Sequence, residues 1–164
     1  MTRRFSVEER VYQDAEGGAV SRAVVVHPGA VVILPLLDSS TIVMIRQYRK
    51  AAEEELFELP AGTLEPDEEP MQAAGRELIE ETGYRAGSLE PFLEFFTSPG
   101  VLTERMRAFV ARDLEWVGTR PEDEERIRVV PTTVDDARKK FLAGELRDAK
   151  TISVLGTYFA RLHR

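Results

Sequence analysis

The sequence predicts an α+β domain, a layered α/β/α sandwich with a mixed central sheet and a β-hairpin ahead of it. Three observations carry that reading. Two β-branched runs, residues 30–37 and 41–48, are apolar almost without interruption, as strands buried on both faces are. Three segments, 70–82, 134–143 and 149–162, have helical apolar spacing. Strands and helices also do not alternate regularly, which argues against a doubly wound parallel sheet.

The elements follow in order. Residues 7–13 and 20–27 read as strands flanking the turn Asp14-Ala15-Glu16-Gly17-Gly18, an N-terminal hairpin. Pro28-Gly29 then breaks the chain before the two central strands, which Asp38-Ser39-Ser40 separates. The helix over 70–82 opens on Pro70, suited to a first turn, and stops at Gly83, suited to a C-terminal cap. Further strands are expected over 92–97, 104–111 and 127–131, followed by the two C-terminal helices. No repeat or composition shift marks a second domain. The expected division is one domain over 1–164, with residues 1–27 a hairpin that contributes to dimerisation and 28–164 a catalytic core.

Composition narrows the function. With 43% apolar and 31% charged residues in 164, the chain can bury a real core. It has no cysteine, which removes disulfides, thiolate metal sites and a cysteine nucleophile. The basic residues near Met1 precede no apolar stretch, and the run 30–37 is too short to span a bilayer, so a soluble, cytoplasmic protein without membrane association is expected. A net charge of -7 disfavours nucleic acid as a partner. The acids cluster at 53–55, 65–69, 77–81 and 122–125.

On the helix over 70–82, Glu77, Glu80 and Glu81 share one side, while Met71, Gly75, Leu78 and Ile79 lie roughly opposite. Like charges three and four residues apart repel by a few tenths of a kcal/mol per pair. No lysine relieves them between Lys50 and Lys139. A solvated acidic face is one explanation. A hard cation is the other: Mg²⁺ takes oxygen ligands and bridges carboxylates to substrate phosphates, so an acidic face can hold a polyphosphate it would otherwise repel.

The surrounding residues decide for the cation. Gly62, Glu68, Arg76, Glu77, Leu78, Glu80, Glu81, Gly83 and Tyr84 fill every fixed position of the pattern G-x5-E-x7-R-E-U-x-E-E-x-G-U, where U is bulky and apolar or aromatic. This resembles the box of the Nudix hydrolases. The resemblance implies Mg²⁺-dependent hydrolysis of a nucleoside diphosphate linked to another group, with Mn²⁺ as a possible substitute. By position Glu77 and Glu81 would be metal ligands, Glu80 a ligand directly or through water, and the carbonyl of Ala61 a backbone ligand. Arg76 and Glu68 would orient those carboxylates, and Gly62 and Gly83 would permit tight turns.

Other stretches are similar to the ADP-ribose pyrophosphatase subgroup: Val25-Val26-His27-Pro28-Gly29-Ala30, Ile45-Arg46-Gln47-Tyr48-Arg49, Glu58-Leu59-Pro60-Ala61-Gly62, Phe96-Thr97-Ser98-Pro99-Gly100 and Asp148-Ala149-Lys150-Thr151-Ile152. Pro99 stands where this subgroup carries a proline. The likeness implies a nucleotide-sugar substrate, ADP-ribose cut to AMP and ribose 5-phosphate. Arg46 and Arg49 would bind substrate, Arg49 through its phosphates, with Glu58 beside it and Glu104 shaping the ribose end of the pocket. For Glu104 a salt bridge to a neighbouring arginine is the competing role. Arg22 matches an arginine that reaches across a homodimer interface in relatives.

The general base is expected on the acidic loop 121–127. Aligning on Ile127 places Glu125 as a metal ligand and Asp123 where relatives carry a catalytic glutamate, with Glu122 or Glu124 as substitutes for the shorter aspartate. Trp116 is read as a packing residue before a base-stacking one, and neither His27 nor His163 as a metal ligand. Two other functions stay open: a Nudix pyrophosphohydrolase for another nucleotide sugar or a nucleoside triphosphate, and a nucleotide-sensing module without turnover.

Overall fold

The structure is a computed structural model, and it describes residues 5–118 and 127–162. Strands β1 (Ser6–Gln13) and β2 (Ala19–Val26) pair antiparallel as the expected hairpin. Asp14 closes its turn, its carboxylate accepting from the amides of Glu16 at 2.9 Å and Gly18 at 2.7 Å. The chain continues through β3 (Ala30–Pro35), β4 (Thr41–Arg49), β5 (Glu54–Glu58), β6 (Ala61–Thr63) and α1 (Pro70–Thr82). Strands β7 (Tyr84–Phe96), β8 (Arg105–Trp116) and β9 (Ile127–Thr133) precede α2 (Val134–Leu142) and α3 (Ala149–Leu162).

Two further sheets form, in the orders β6-β3-β8-β7 and β5-β4-β9. The first is mixed, because β3 runs parallel to β8 and antiparallel to β6. The second is antiparallel throughout. Strand β3 shows why its sequence is apolar at every position: all six residues are buried. Val31 and Ile33 pack with Ala73, Ala74 and Leu78 of α1, whereas Val32 and Leu34 pack with Met44 of β4 and Val154 and Leu155 of α3. Fully burying one such side chain contributes about 1.5–3 kcal/mol. The fold is therefore the expected α+β sandwich, with α1 over one face of the mixed sheet and α3 in the core on the other.

Three sequence expectations shift. Strand β7 begins at Tyr84 rather than near residue 92. Its register against β8 slips between Pro91 and Leu93, a bulge that lets an edge strand carry a proline and that breaks the alternation in the sequence. Strands β5 and β6 were not expected. The segment Glu54–Glu58 is mostly acidic, a composition depleted in strands, and becomes one by pairing with β4. Among the described residues, no helix is long and apolar enough to cross a membrane.

Candidate active site

Helix α1 is placed by both of its ends. Pro70 supplies a pre-set first turn, and Gly83 at φ 75° closes the last one, its amide donating to the Ile79 carbonyl at 2.9 Å. A Cβ on Gly83 would stand 2.7 Å from the Trp116 ring, so the cap also seats that indole, which meets Tyr84 edge-on at 5.2 Å. Trp116 is thus a packing residue although 58% exposed. The two small residues Ala73 and Ala74 let α1 approach the sheet closely, and that docking aims its acidic side at the strand end of β6.

A cleft of about 1070 Å³ opens there. Ala61, Gly62, Arg76, Glu77, Glu80 and Glu81 form one wall, Arg49, Asp148 and Lys150 another, and Thr97 and Glu104 a third. On the first wall, Arg76 donates to Glu68 through Nε at 2.8 Å and Nη2 at 3.0 Å. Its Nη1 donates to Glu77 at 2.7 Å and to Glu80 at 2.9 Å. The hydrogen bonds to Glu68 and the charge of Glu77 raise the arginine's affinity for its proton against the opposing effect of burial. Those same bonds hold the Glu68 carboxyl below the ordinary glutamate range.

Glu81 is 5% exposed and accepts from the Ala61 amide at 2.9 Å. Ala61 is itself fixed by pairing with Val32 of β3. Gly62 is not the tight turn expected of it, since it sits within β6 and is absent from the positive-φ glycines; its role is one of space, because a Cβ there would occupy the position of the Glu77 carboxylate, so only glycine leaves that cradle open. The donors offered by Glu77, Glu80, Glu81 and the Ala61 carbonyl are all oxygen, the set a hard divalent cation prefers. Among the described residues no three acidic side chains already converge on one point, and Glu77 and Glu80 instead share Arg76. The fit to Mg²⁺ is thus one of donor chemistry and available space.

The second wall is built around Glu58, whose side chain is fully buried. Arg49 clamps it with two bonds, Nε to Oε1 at 2.8 Å and Nη2 to Oε2 at 2.6 Å, and the Lys150 ammonium reaches Oε2 as well. Burial works against the Glu58 charge, but Arg49 and Lys150 outweigh it and hold the carboxyl below its usual range. Burial likewise opposes the Arg49 charge, and the bonds from Glu58 override it and raise the arginine. Lys150 also meets Asp148 Oδ1 at 2.8 Å, while Asp148 Oδ2 accepts from the Thr151 amide at 2.9 Å and hydroxyl at 2.6 Å. The Thr151 hydroxyl in turn accepts from the Leu59 amide at 2.9 Å, joining α3 to the loop after β5.

On the third wall the Glu104 carboxylate accepts from the Thr97 hydroxyl at 2.7 Å and faces His27 Nε2 at 3.6 Å. It has no arginine partner among the described residues, so the salt bridge weighed from sequence is not what holds it.

Of the residues singled out from sequence, Arg49, Glu58, Ala61, Glu77, Glu80, Glu81 and Glu104 come together at or behind this cleft. Arg46 does not line it. Three residues from Arg49 along β4, an odd offset, its side chain lies on the opposite face, where it stacks 5.3 Å over Phe57 and bonds Glu55 at 3.1 Å. Arg22 lies on the exposed hairpin, donating to the Ser21 carbonyl. Asp123, Glu124, Glu125 and Glu122 lie outside the described residues, as does His163. Sequence reasoning gave no role to Lys150, Asp148 or Thr97. For Asp148 and Lys150 the signal was present in Asp148-Ala149-Lys150-Thr151, where Asp148 ahead of α3 accepts from the Thr151 amide and a lysine falls in the first turn.

Known proteins resemble this chain in sequence and fold. Residues 26–153 match the family described as NUDIX domain. An ADP-ribose pyrophosphatase of Bacillus subtilis (strain 168) is 42% identical over 137 residues, 82% of this chain and 74% of that protein. A GDP-mannose pyrophosphatase of Cronobacter sakazakii is 39% identical over 139 residues, 77% of this chain and 71% of its own length. Among solved structures, that of an ADP compounds hydrolase superposes with a TM-score of 0.82 over 99% of this chain and 89% of that one, at 24% identity, and so shares the fold. With the complete box, the sheets that carry it and these matches in agreement, the chain belongs to the Nudix family and is a Nudix hydrolase.

Proposed function

We propose that this hydrolase cuts the pyrophosphate linkage of ADP-ribose in the presence of Mg²⁺, giving AMP and ribose 5-phosphate. One observation carries the reading: a single cleft sets oxygen donors for a cation on one wall against a guanidinium and an ammonium on another. That pattern suits a diphosphate, whose charge needs neutralising from both sides. The choice of ADP-ribose is supported by the 42% identity to the Bacillus subtilis enzyme.

Glu77, Glu80, Glu81 and the Ala61 carbonyl would hold the metal, with Glu125 from the acidic loop as a further ligand. Mg²⁺ when bound neutralises phosphate charge and acidifies a coordinated water. Arg76 and Glu68 keep the ligand carboxylates oriented, Arg49 and Lys150 take phosphate oxygens, and Glu104 faces hydroxyl donors of the sugar. Asp123, or Glu122 or Glu124 in its place, is assigned the proton of the attacking water. Water adds across P–O–P: one phosphorus gains the hydroxyl and the other keeps the bridging oxygen. The apolar residues Val7 and Val11, 65% and 70% exposed on β1, support a homodimer built through the hairpin, with Arg22 at the shared face, which sedimentation at graded concentrations tests.

Similarity to the GDP-mannose pyrophosphatase favours a second reading, another nucleotide sugar at the same site. The test is turnover of ADP-ribose, GDP-mannose, NADH, diadenosine polyphosphates and nucleoside triphosphates with Mg²⁺ and with EDTA. Metal-dependent AMP release from ADP-ribose supports the first reading. A different leading substrate leaves the reaction and removes the ADP-ribose assignment, and binding without any turnover makes the chain a sensor.

A further inference from the structure

We propose that His27 is a positioning residue that holds Glu104 in the orientation used to receive the sugar hydroxyls, an inference that rests on the proposed function. Glu104 lines a cleft assigned to a diphosphate, which its charge repels. Its use to such a substrate lies in accepting hydrogen bonds from hydroxyl groups, and that requires both carboxylate oxygens to be aimed. Thr97 aims one of them, bonding Oε2 at 2.7 Å. The other, Oε1, faces His27 Nε2 at 3.6 Å, an electrostatic contact rather than a hydrogen bond. Neither side chain is free to wander, with 11% of His27 and 21% of Glu104 exposed.

The backbone decides which ring nitrogen carries the proton. The Gly29 amide donates to His27 Nδ1 at 3.1 Å, so Nδ1 is the acceptor and the neutral ring's N–H sits on Nε2, toward Glu104. Gly29 reaches that position at φ 102°, a conformation natural to glycine, and a Cβ there would also stand 3.2 Å from the Arg105 carbonyl. The His27 backbone is stitched to the segment that carries Glu104: its amide donates to Thr103 Oγ1 at 2.8 Å, and the Thr103 amide donates to the Val25 carbonyl at 2.9 Å. The imidazole is therefore fixed, with its Nε2–H turned toward a cleft carboxylate, at the point where the hairpin joins the mixed sheet.

Two substitutions separate this role from that of a turn former. His27→Asn places Oδ1 where Nδ1 accepts from Gly29 and leaves nothing opposite Glu104. His27→Gln reaches the Nε2 position with an amide donor but offers Gly29 nothing. KM and kcat for ADP-ribose, with thermal unfolding of each variant, are compared with Glu104→Gln and with His27→Asn/Glu104→Gln. The expected result is a five- to tenfold higher KM for His27→Asn with kcat changed by less than twofold, substantial recovery in His27→Gln, and a double variant no worse than Glu104→Gln alone. The inference is overturned by wild-type KM in His27→Asn, or by additive effects in the double variant. Failure of the substrate reading looks different: the wild type then prefers another nucleotide sugar, and the same series is read on that substrate. Should the wild type turn over none, the series is read as the Kd of ADP-ribose by calorimetry, and absence of binding overturns both.

Discussion

The acidic wall and the cationic wall of the cleft solve opposite electrostatic problems. On α1, one guanidinium, Arg76, serves three carboxylates, Glu68, Glu77 and Glu80, with Glu81 close by on the Ala61 amide. Around Glu58, two cations, Arg49 and Lys150, serve two carboxylates, Glu58 and Asp148. Among the described residues the first wall carries more carboxylates than cations, an imbalance that a bound cation would offset. The second is balanced, and that balance lets a carboxylate with no exposed side-chain surface remain ionised. The difference teaches that like residues serve different ends: under the proposed function the excess carboxylates would receive a metal, whereas the paired carboxylates anchor two cations that would meet phosphate.

The largest effect should come from removing a charge on the acidic wall without disturbing its bonds. Glu81→Gln can still accept from the Ala61 amide, so its unfolding midpoint should stay near wild type while Mg²⁺-dependent kcat/KM falls by about a hundredfold or more, roughly 2.7 kcal/mol of transition-state stabilisation. Retained turnover would remove Glu81 from the metal site. On the balanced wall the same change should behave otherwise. Glu58→Gln removes the buried negative charge that Arg49 and Lys150 share and should cost about 3 kcal/mol in urea unfolding, together with activity. Stability within about 0.5 kcal/mol of wild type would mean that the pair contributes little net energy.

Gly62→Ala tests the cradle. The collision is with the end of a flexible side chain, so stability should fall by less than about 1 kcal/mol. Glu77 must swing aside, and activity should drop by about tenfold, with a raised Mg²⁺ requirement. An alanine variant with normal metal dependence would show that Glu77 acts from elsewhere. The smallest effect is in acid. Glu58 and Glu68 have folded-state pKa values below the ordinary one, so the unfolded chain binds more protons there. Their stabilisation is complete above the unfolded value of about 4.3 and is lost as pH falls from there through the folded values. Acid unfolding of the wild type should steepen below about pH 4.3, and Glu58→Gln should flatten that limb; an unchanged slope would remove Glu58 from the linkage.

Much of this was legible in the chain. Strand β3 and helix α1 were readable because each buries an apolar pattern of its own, and α1 carries its start and stop signals with it in Pro70 and Gly83. The resemblance to the Nudix box pointed to Glu77, Glu80 and Glu81. Strand β5 was not readable, since the glutamates that make up most of Glu-Glu-Leu-Phe-Glu are depleted in strands and the segment becomes one only beside β4. Arg46 and Arg49 looked alike in one motif, but alternation along β4 sends them to opposite sides, and only Arg49 finds Glu58.

The sequence by itself determined the family, the two-faced central strand and the acidic side of α1, because those depend on local period and on short fixed spacings. The tertiary structure decided what meets across the cleft. Lys150 reaches Glu58 from 92 residues away, and His27 is held near Glu104 by the joint with Thr103, itself 76 residues from His27 in the chain. Such contacts depend on which elements pack together, and no local pattern encodes a partner at that distance; burial then fixes each charge by bringing its counter-charge within reach.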